Sequence, residues 1–308
     1  MLIILAWTGA ILGPILAAWF WRKPRKWLAI TAFGLATIPY SLGVWAFLVE
    51  PELLAVRQVT VESPTWRGPP LRIGVLSDTH VGEPHMPATR VEKIAGRLSR
   101  EKPDLIVLVG DYVGGHLPMD ARHPAERDEI ARGITALRSA RAPLGQVAVL
   151  GNHDWWYDGP TIEAALQREA VVVLENHAVQ IRRPGSAFWV AGVADDDSRR
   201  AAASIPMALA SVPPEDPVIL LSHRPDPFAE APARVALTIA AHSHCGQVNL
   251  PWIGRPIVPS PGSRRWPCGL YSEAGRQLFV TGGVGTSILP VRFRARPEIV
   301  IVTLRARP

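Results

Sequence analysis

With 308 residues the chain is long enough for one large domain or two small ones with a buried core. Apolar residues make up 48% of it against 19% charged, which excludes a disordered chain and leaves more apolar surface than a soluble enzyme usually carries. The formal net charge is +6, but residues 1–57 hold five basic and two acidic side chains, leaving 28 basic against 25 acidic in residues 58–308, so no nucleic-acid partner is expected.

Two uncharged runs open the chain, Leu2 to Phe20 and Trp27 to Val49. Each is long enough to cross a hydrocarbon core of about 30 Å as a helix, and neither has the polar stripe of a helix buried in a soluble core. A cleaved signal peptide is not expected, because no Lys or Arg precedes the first run. Pro14 and Pro39 fall inside the runs, which membrane helices tolerate. Between them Arg22, Lys23, Arg25 and Lys26 form a short basic loop, flanked by Trp19, Trp21 and Trp27 as by an interfacial belt. The pattern predicts a transmembrane hairpin over about 2–20 and 27–49. By the positive-inside rule its loop is cytoplasmic, and everything after residue 50 lies on the other side.

Beyond the hairpin, Leu54 to Glu62 reads as a strand and Ser63 to Pro70 as a turn or linker. Apolar runs suited to strands follow at Leu71–Ser77, Leu105–Val109, Gln146–Leu150, Val171–Leu174, Phe188–Val193, Val218–Leu221 and Val235–Ala240. Helical stretches lie between several of them, at about 88–101, 124–141, 160–169 and 199–210, and this alternation predicts an α/β domain. Gln277–Thr281 and Glu298–Leu304 return to strands without helices between, which suits a second or mixed sheet. Two cysteines, Cys245 and Cys268, are too few for a disulfide framework or a four-cysteine zinc site, and one bridge or two free thiols are both open.

The reactive side chains follow the strands. Asp78 and His80 end the first of the apolar runs after the linker, Asp111 the next, and Asn152, His153 and Asp154 the third; His223 ends a later one, and His242 with His244 another. Loops at the carboxyl ends of strands form the binding crevice of an open α/β sheet, so these strand ends aim ligand-type side chains at one place. The pairs Asp78/His80 and His242/His244 are each two apart, which in extended backbone puts both side chains on one side. Histidines, two carboxylates and an amide exceed what one tetrahedral ion needs, and two ions sharing a carboxylate would use them all. Two divalent cations outweigh the charge of Asp78 and Asp111, a surplus that suits an anionic substrate and phosphoryl displacement. His153 reads as an acid that protonates the leaving oxygen. Asp154 is expected to orient it, the alternative being a cap or a loop contact.

Leu76-Ser77-Asp78-Thr79-His80, Val109-Gly110-Asp111, Gly151-Asn152-His153-Asp154, Ser222-His223 and His242-Ser243-His244 resemble the calcineurin-like metallophosphoesterases. Cys245-Gly246-Gln247-Val248, Thr286 through Phe293 and Pro297-Glu298-Ile299 look like their membrane-associated bacterial branch, and the likeness covers about residues 54–305. The resemblance implies a four-layer αββα sandwich of two mixed sheets, with a site for two divalent ions, manganese before iron or zinc. It implies that Asp78, His80, Asp111 and His244 hold the first ion, that Asp111, Asn152, His223 and His242 hold the second, and that His153 is the acid. Two departures stand out. Ala241 replaces the usual glycine before the last histidine pair, and Gly114-Gly115-His116 stand where the protein-phosphatase branch carries a phosphate-gripping arginine.

The expectation is a hairpin over residues 1–50 and a metallophosphoesterase domain over 51–308. The protein would be a bacterial inner-membrane, multi-pass hydrolase with its catalytic domain extracytoplasmic. By metal-activated hydroxide it would cut phosphate esters, diesters before monoesters, on substrates that include phospholipid or lipid-linked esters. The rival reading is a catalytically silent membrane-bound binding or regulatory protein. No oligomer is specified. Trp155 and Trp156 are expected to pack or to line the cleft, Arg292 or Arg294 to reach phosphate or border a solvated strand, and Asp195–Asp197 to form a solvated turn; Cys245 has no assigned role.

Overall fold

The computed structural model describes residues 26–307, so the first expected membrane run lies outside the described residues. The second coincides with helix α1, Lys26–Val44, which continues through a π-helical turn at Trp45–Val49 and a 3-10 turn at Glu50–Glu52. Among the described residues, Phe33–Glu52 is the one helical segment long and apolar enough to cross a membrane. Phe33, Leu35, Ile38, Leu42 and Leu48 stand exposed along it.

Two six-stranded mixed sheets follow. The first has the order β1-β12-β2-β3-β4-β5, built from Ala55–Ser63, Glu298–Ala306, Leu71–Leu76, Leu105–Val109, Gln146–Val149 and Val171–Val173. The second runs β10-β11-β9-β8-β7-β6, from Gly269–Glu273, Arg276–Val280, Val235–Ala240, Val218–Leu221, Ser186–Gly192 and His177–Arg183. Central strands β3, β8 and β9 are parallel to their neighbours and buried throughout, which is why they read as unbroken apolar runs. β6 and β10 escaped the sequence reading for the converse reason: they are the two edges of the second sheet, and Gly269 is the one buried residue in the pair.

Val75, Val107, Val149, Leu221, Ile239 and Phe279 pack in the core between the sheets, with Trp66 edge-on to Phe188 at 5.4 Å. Helices α2 (Ala88–Arg100), α3 (Pro124–Ala136) and α4 (Asn152–Arg168) cover the outer face of the first sheet. In α2, Val91, Ile94, Ala95 and Leu98 recur at helical spacing and are all buried. Short helices α5 (Ile205–Ala208) and α6 (Pro261–Arg265) cover the second sheet over a cluster around Phe228 and Trp266. The four-layer αββα sandwich is therefore as expected, with two changes in its helices. The stretch 199–210 shrinks to one turn because Ser204 caps it and Pro206 enters its first turn, and α4 begins at Asn152, with a break at Asp158 ahead of Pro160.

The head of α1's continuation is joined to the sandwich. Ala46 and Glu50 are buried; the Arg292 N–H donates to the Ala46 carbonyl at 2.9 Å, and the Glu50 carboxylate accepts from the Ala295 N–H at 2.7 Å and the Trp45 indole at 2.8 Å. The expected domain boundary at residue 50 falls in the middle of this junction.

Candidate active site

All the expected ligand residues lie just past strand ends on one rim of the sandwich. Asp78 and His80 follow β2, Asp111 follows β3 and Asn152 follows β4, while His223 comes from β8 and His242 and His244 from β9. The two sheets thus meet at the site. The same-side geometry does not come from extended backbone, contrary to the expectation: Asp78, His80, Asp111, His242 and His244 all have positive φ, between 44° and 66°. Such left-handed conformations cost about 1–3 kcal/mol each in a non-glycine residue and persist only where the surroundings fix them. Backbone hydrogen bonds do so here, since the Asp78 N–H donates to Gly110 O and the His80 N–H to Asp111 O, at 3.0 and 3.1 Å. Gly151 is required by close approach, because a Cβ there would lie 2.3 Å from Asp111 Oδ1.

Two groups of ligand atoms result, each within 4.8 Å: Asp78, His80, Asp111 and His244, and Asp111, His223 and His242. Asp111 belongs to both. His80 Nε2 is 3.7 Å and His223 Nε2 3.2 Å from its Oδ2, while His244 Nε2 lies 3.3 Å from Asp78 Oδ1. Both oxygens of Asp78, His80 Nδ1, His244 Nδ1, His242 Nε2 and the Asn152 amide oxygen are buried without a hydrogen-bond partner. Buried carboxylate and amide oxygens without donors are costly unless cations meet them, and the ring nitrogens His80 Nε2 and His244 Nε2, 3.0 Å apart, and His223 Nε2 and His242 Nδ1, 3.2 Å apart, gather beside the two carboxylates, so the residues present fit two divalent ions.

The electrostatics agree with that fit. Burial, with repulsion from His153, drives His80 down to about 3, and burial with the charge of His223 lowers His242, so both rings are neutral and ready to ligate. Burial pushes Asp78 up to about 7, with Asp111 adding repulsion. Burial would lower His223, but the facing Asp111 carboxylate overrides it and raises the ring to about 10. Burial opposes ionisation of Asp111 too, yet His223 and His153 hold it well below the ordinary carboxylate range.

His153 sits at the pocket side of this cluster. Its Nδ1 lies 2.9 Å from the Gly115 carbonyl, which fixes that nitrogen as the donor, and Nε2 faces the pocket 3.4 Å from Ser287 Oγ. Asp154 does not orient it, contrary to the expectation. Its carboxylate accepts from the backbone N–H groups of Gly151, Asp111, Tyr112 and Val113, at 2.9, 2.9, 2.8 and 3.2 Å. Asp154 is the brace of two ligand loops, because it stands on the first turn of α4 directly beneath them.

Other expectations divide. Trp155 is core, and Trp156 lines the pocket against His153 with ring centroids 4.6 Å apart. Arg292 neither reaches phosphate nor borders solvent: it is fully buried and donates to the carbonyls of Gly282, Gly283, Gly285 and Ala295. Arg294 is exposed at the end of that segment. Asp195–Asp197 is a turn with Asp196 exposed, as expected, but Asp195 is buried and with Asp197 holds the guanidinium of Arg224, which lines the pocket. Cys245 and Cys268 form a disulfide, Cα to Cα 4.9 Å, that pins the residue after His244. Ala241 donates its N–H to His223 O and turns its methyl into the inter-sheet core, so the departure from glycine removes nothing.

The sequence reading missed Arg224, His116 and Gln247. Arg224 had a signal in its position next to His223, and His116 follows the glycines that let the chain pass within reach of His80. Gln247 ties two loops together, donating to Ser287 O and accepting the Ser287 N–H, and nothing in its neighbours betrayed that. The pocket above the cluster has a volume of about 440 Å³ and is lined by the polar His153, Asn152 and Arg224 and the apolar Val248, Ile257, Ile288, Leu289 and Val291.

A family model described as calcineurin-like phosphoesterase matches residues 71–246, a span that contains every one of these ligand residues. The chain belongs to the calcineurin-like phosphoesterases, a family of hydrolases that use two divalent metals. It is 31% identical to an uncharacterized metallophosphoesterase of Aquifex aeolicus over 88% of this chain and 98% of that one. It is 27% identical to the phosphodiesterase YaeI of Escherichia coli, over 91% and 98% of the two chains. With the UDP-2,3-diacylglucosamine pyrophosphatase LpxG of Chlamydia trachomatis it shares 28% identity, over 91% and 99%.

Proposed function

We propose that this protein is a membrane-anchored phosphodiesterase that hydrolyses a lipid-linked phosphate ester. The observation that carries the reading is the sharing of Asp111 between two ligand groups in a pocket that Val248, Ile257, Ile288, Leu289 and Val291 also line. Asp78, His80, Asp111 and His244 would hold one divalent ion and Asp111, Asn152, His223 and His242 the other, manganese being the first to try. Bound there, the ions would supply the positive charge that activates water and neutralises phosphoryl oxygens.

The chain's own residues do the rest. Arg224, clamped by Asp195 and Asp197, presents a fixed positive charge to the phosphodiester. His153 is held by the Gly115 carbonyl with Nε2 toward the pocket, and a proton from that nitrogen passes to the departing alkoxide as its bond to phosphorus breaks. The attacking water gives its proton to solvent, and the products are a phosphomonoester and an alcohol. Val248, Ile257, Ile288 and Leu289 would receive the apolar part of the substrate and keep water from it.

The helical hairpin, an inner-membrane location and an extracytoplasmic catalytic domain belong to the same reading. The exposed apolar side chains of α1 support an anchor, and a disulfide beside the site suits an oxidising compartment. The relatives named phosphodiesterase and diacylglucosamine pyrophosphatase support the diester and the lipid. The test is turnover by the detergent-solubilised chain, stripped of metal and reloaded with Mn²⁺, on an aryl phosphodiester and an aryl monoester. Metal-dependent diester cleavage that Asp111→Asn and His153→Ala cripple is the expected result. Two bound ions without turnover would overturn it in favour of a silent binding protein.

A further inference from the structure

The loop that follows the metal ligand His244 ends in an exposed apolar tip. Leu250 and Gly254 bridge across a turn whose Trp252 has a positive φ of 63° and is wholly exposed, with Ile253 beside it 72% exposed. Ile257 and Ile288 stand out nearby at 75% and 73%. A tryptophan held in a left-handed conformation with its ring in water satisfies neither the backbone nor the side chain, and such a patch marks a surface that something covers.

Its position says what. The tip rises from Asn249, whose N–H donates to the carbonyl of Phe293, and Val248 bridges the same residue. Phe293 follows Arg292, whose N–H is bonded to Ala46 at the end of the apolar helix. Gln247 fastens the Ser287–Leu289 segment to the same loop. The tip and the helix exit are therefore joined through one short segment, with Trp45 and Leu48 exposed on the helix side. An apolar tip with an exposed tryptophan beside the exit of an apolar helix is what a bilayer interface would meet in one contact.

We propose that the Leu250–Gly254 tip is a second membrane contact: Trp252 and Ile253 dip into the lipid interface beside the helix exit and seat the mouth of the metal pocket on the bilayer. This rests on the reading of α1 as a membrane anchor and names where that enzyme meets its substrate, which enters from the lipid side along Ile257 and Ile288.

The experiment uses the full chain, one copy per nanodisc of anionic lipid, carrying Ile253→Cys labelled with an environment-sensitive fluorophore, and in parallel Arg182→Cys. Arg182 is the control because β6 turns back at Arg183 to Ser186, at the end of its sheet remote from the ligand loops. Shallow spin-labelled lipid is expected to quench the label at 253 by more than half and to leave that at 182 unchanged. In vesicles, Trp252→Ser with Ile253→Ser should lower cleavage of an embedded phospholipid about tenfold and leave a soluble aryl diester unaffected. Absence of quenching at 253 in discs that carry the chain, equal quenching at both positions, or quenching only when two copies share a disc would each overturn the proposal. The quenching is read without turnover, so a failure of the hydrolase reading and a failure of this contact are separable; a chain that does not enter the discs would overturn the anchor and the contact together.

Discussion

The carboxylate of Asp154 hangs from the backbone of Asp111, Oδ2 to N–H at 2.9 Å, so that one buried acid fixes the loop of another. Replacing Asp154 by Asn leaves two of its four backbone donors facing an NH₂ group, because each oxygen accepts two, at about 1–3 kcal/mol for each unsatisfied group. Asp154→Asn should lower the melting temperature and weaken metal retention. It should leave unmoved the limb of the pH–rate profile set by the general acid. A shift of that limb, with unchanged melting, would restore the orienting role.

Metal binding should release protons. Asp78, raised to about 7, and His223, raised to about 10, both carry a proton near pH 6 and must lose it to ligate. Calorimetry in buffers of different ionisation heat should report release of about two protons as two ions load at that pH. Without metal, His223 in the folded chain keeps its proton above the unfolded value of 6.5, so its stabilisation is full below that pH and lost as pH rises toward 10. Melting temperature of the metal-free chain should fall across this window, and saturating metal should abolish the fall.

Gly151→Ala tests the shared carboxylate sterically. The added methyl would lie 2.3 Å from Asp111 Oδ1 and 2.8 Å from His223 Nε2, so either the acid or the ring must move. Elemental analysis should find fewer than two ions per chain, with circular dichroism unchanged. Full occupancy would mean that the loop yields more readily than its bonds suggest.

Arg292→Lys keeps the charge and loses the fork. A guanidinium that reaches the carbonyls of Gly282, Gly285 and Ala295 at 2.8, 2.5 and 2.8 Å cannot be matched by a single ammonium, and about 3 kcal/mol of stability should go. Chemical denaturation would measure it. A change under 1 kcal/mol would show that the segment holds without the arginine.

Much of this was legible in the sequence because buried parallel strands write themselves as apolar runs and their ends as polar punctuation. Leu105–Val109 followed by Gly110-Asp111 is the plainest case. The candidate ligands were legible as residue types, whereas their geometry was not: a positive φ at His242 leaves no mark in the residue type. The edge strand His177–Arg183 lacks the apolar run because none of its side chains is buried. Asp154 was misread because its backbone donors lie some forty residues earlier, at Asp111 to Val113, and long-range bonds to backbone carry no sequence signature. Arg292 was ambiguous for the same reason: only the fold reveals that its partners are carbonyls.

The junction at Ala46 has a mechanical consequence. From the Ala46 carbonyl the connection runs to the Arg292 N–H, from its guanidinium to the carbonyl of Gly285, and from the Gly285 N–H to the carbonyl of Asp78, at 2.9, 2.5 and 2.7 Å. Three hydrogen bonds thus link the apolar helix to Asp78. On the anchored reading proposed above, thinning or tilting the bilayer would pull on the same frame that holds Asp78. A head cut free after residue 50 is accordingly a different machine, with one of its bearings removed.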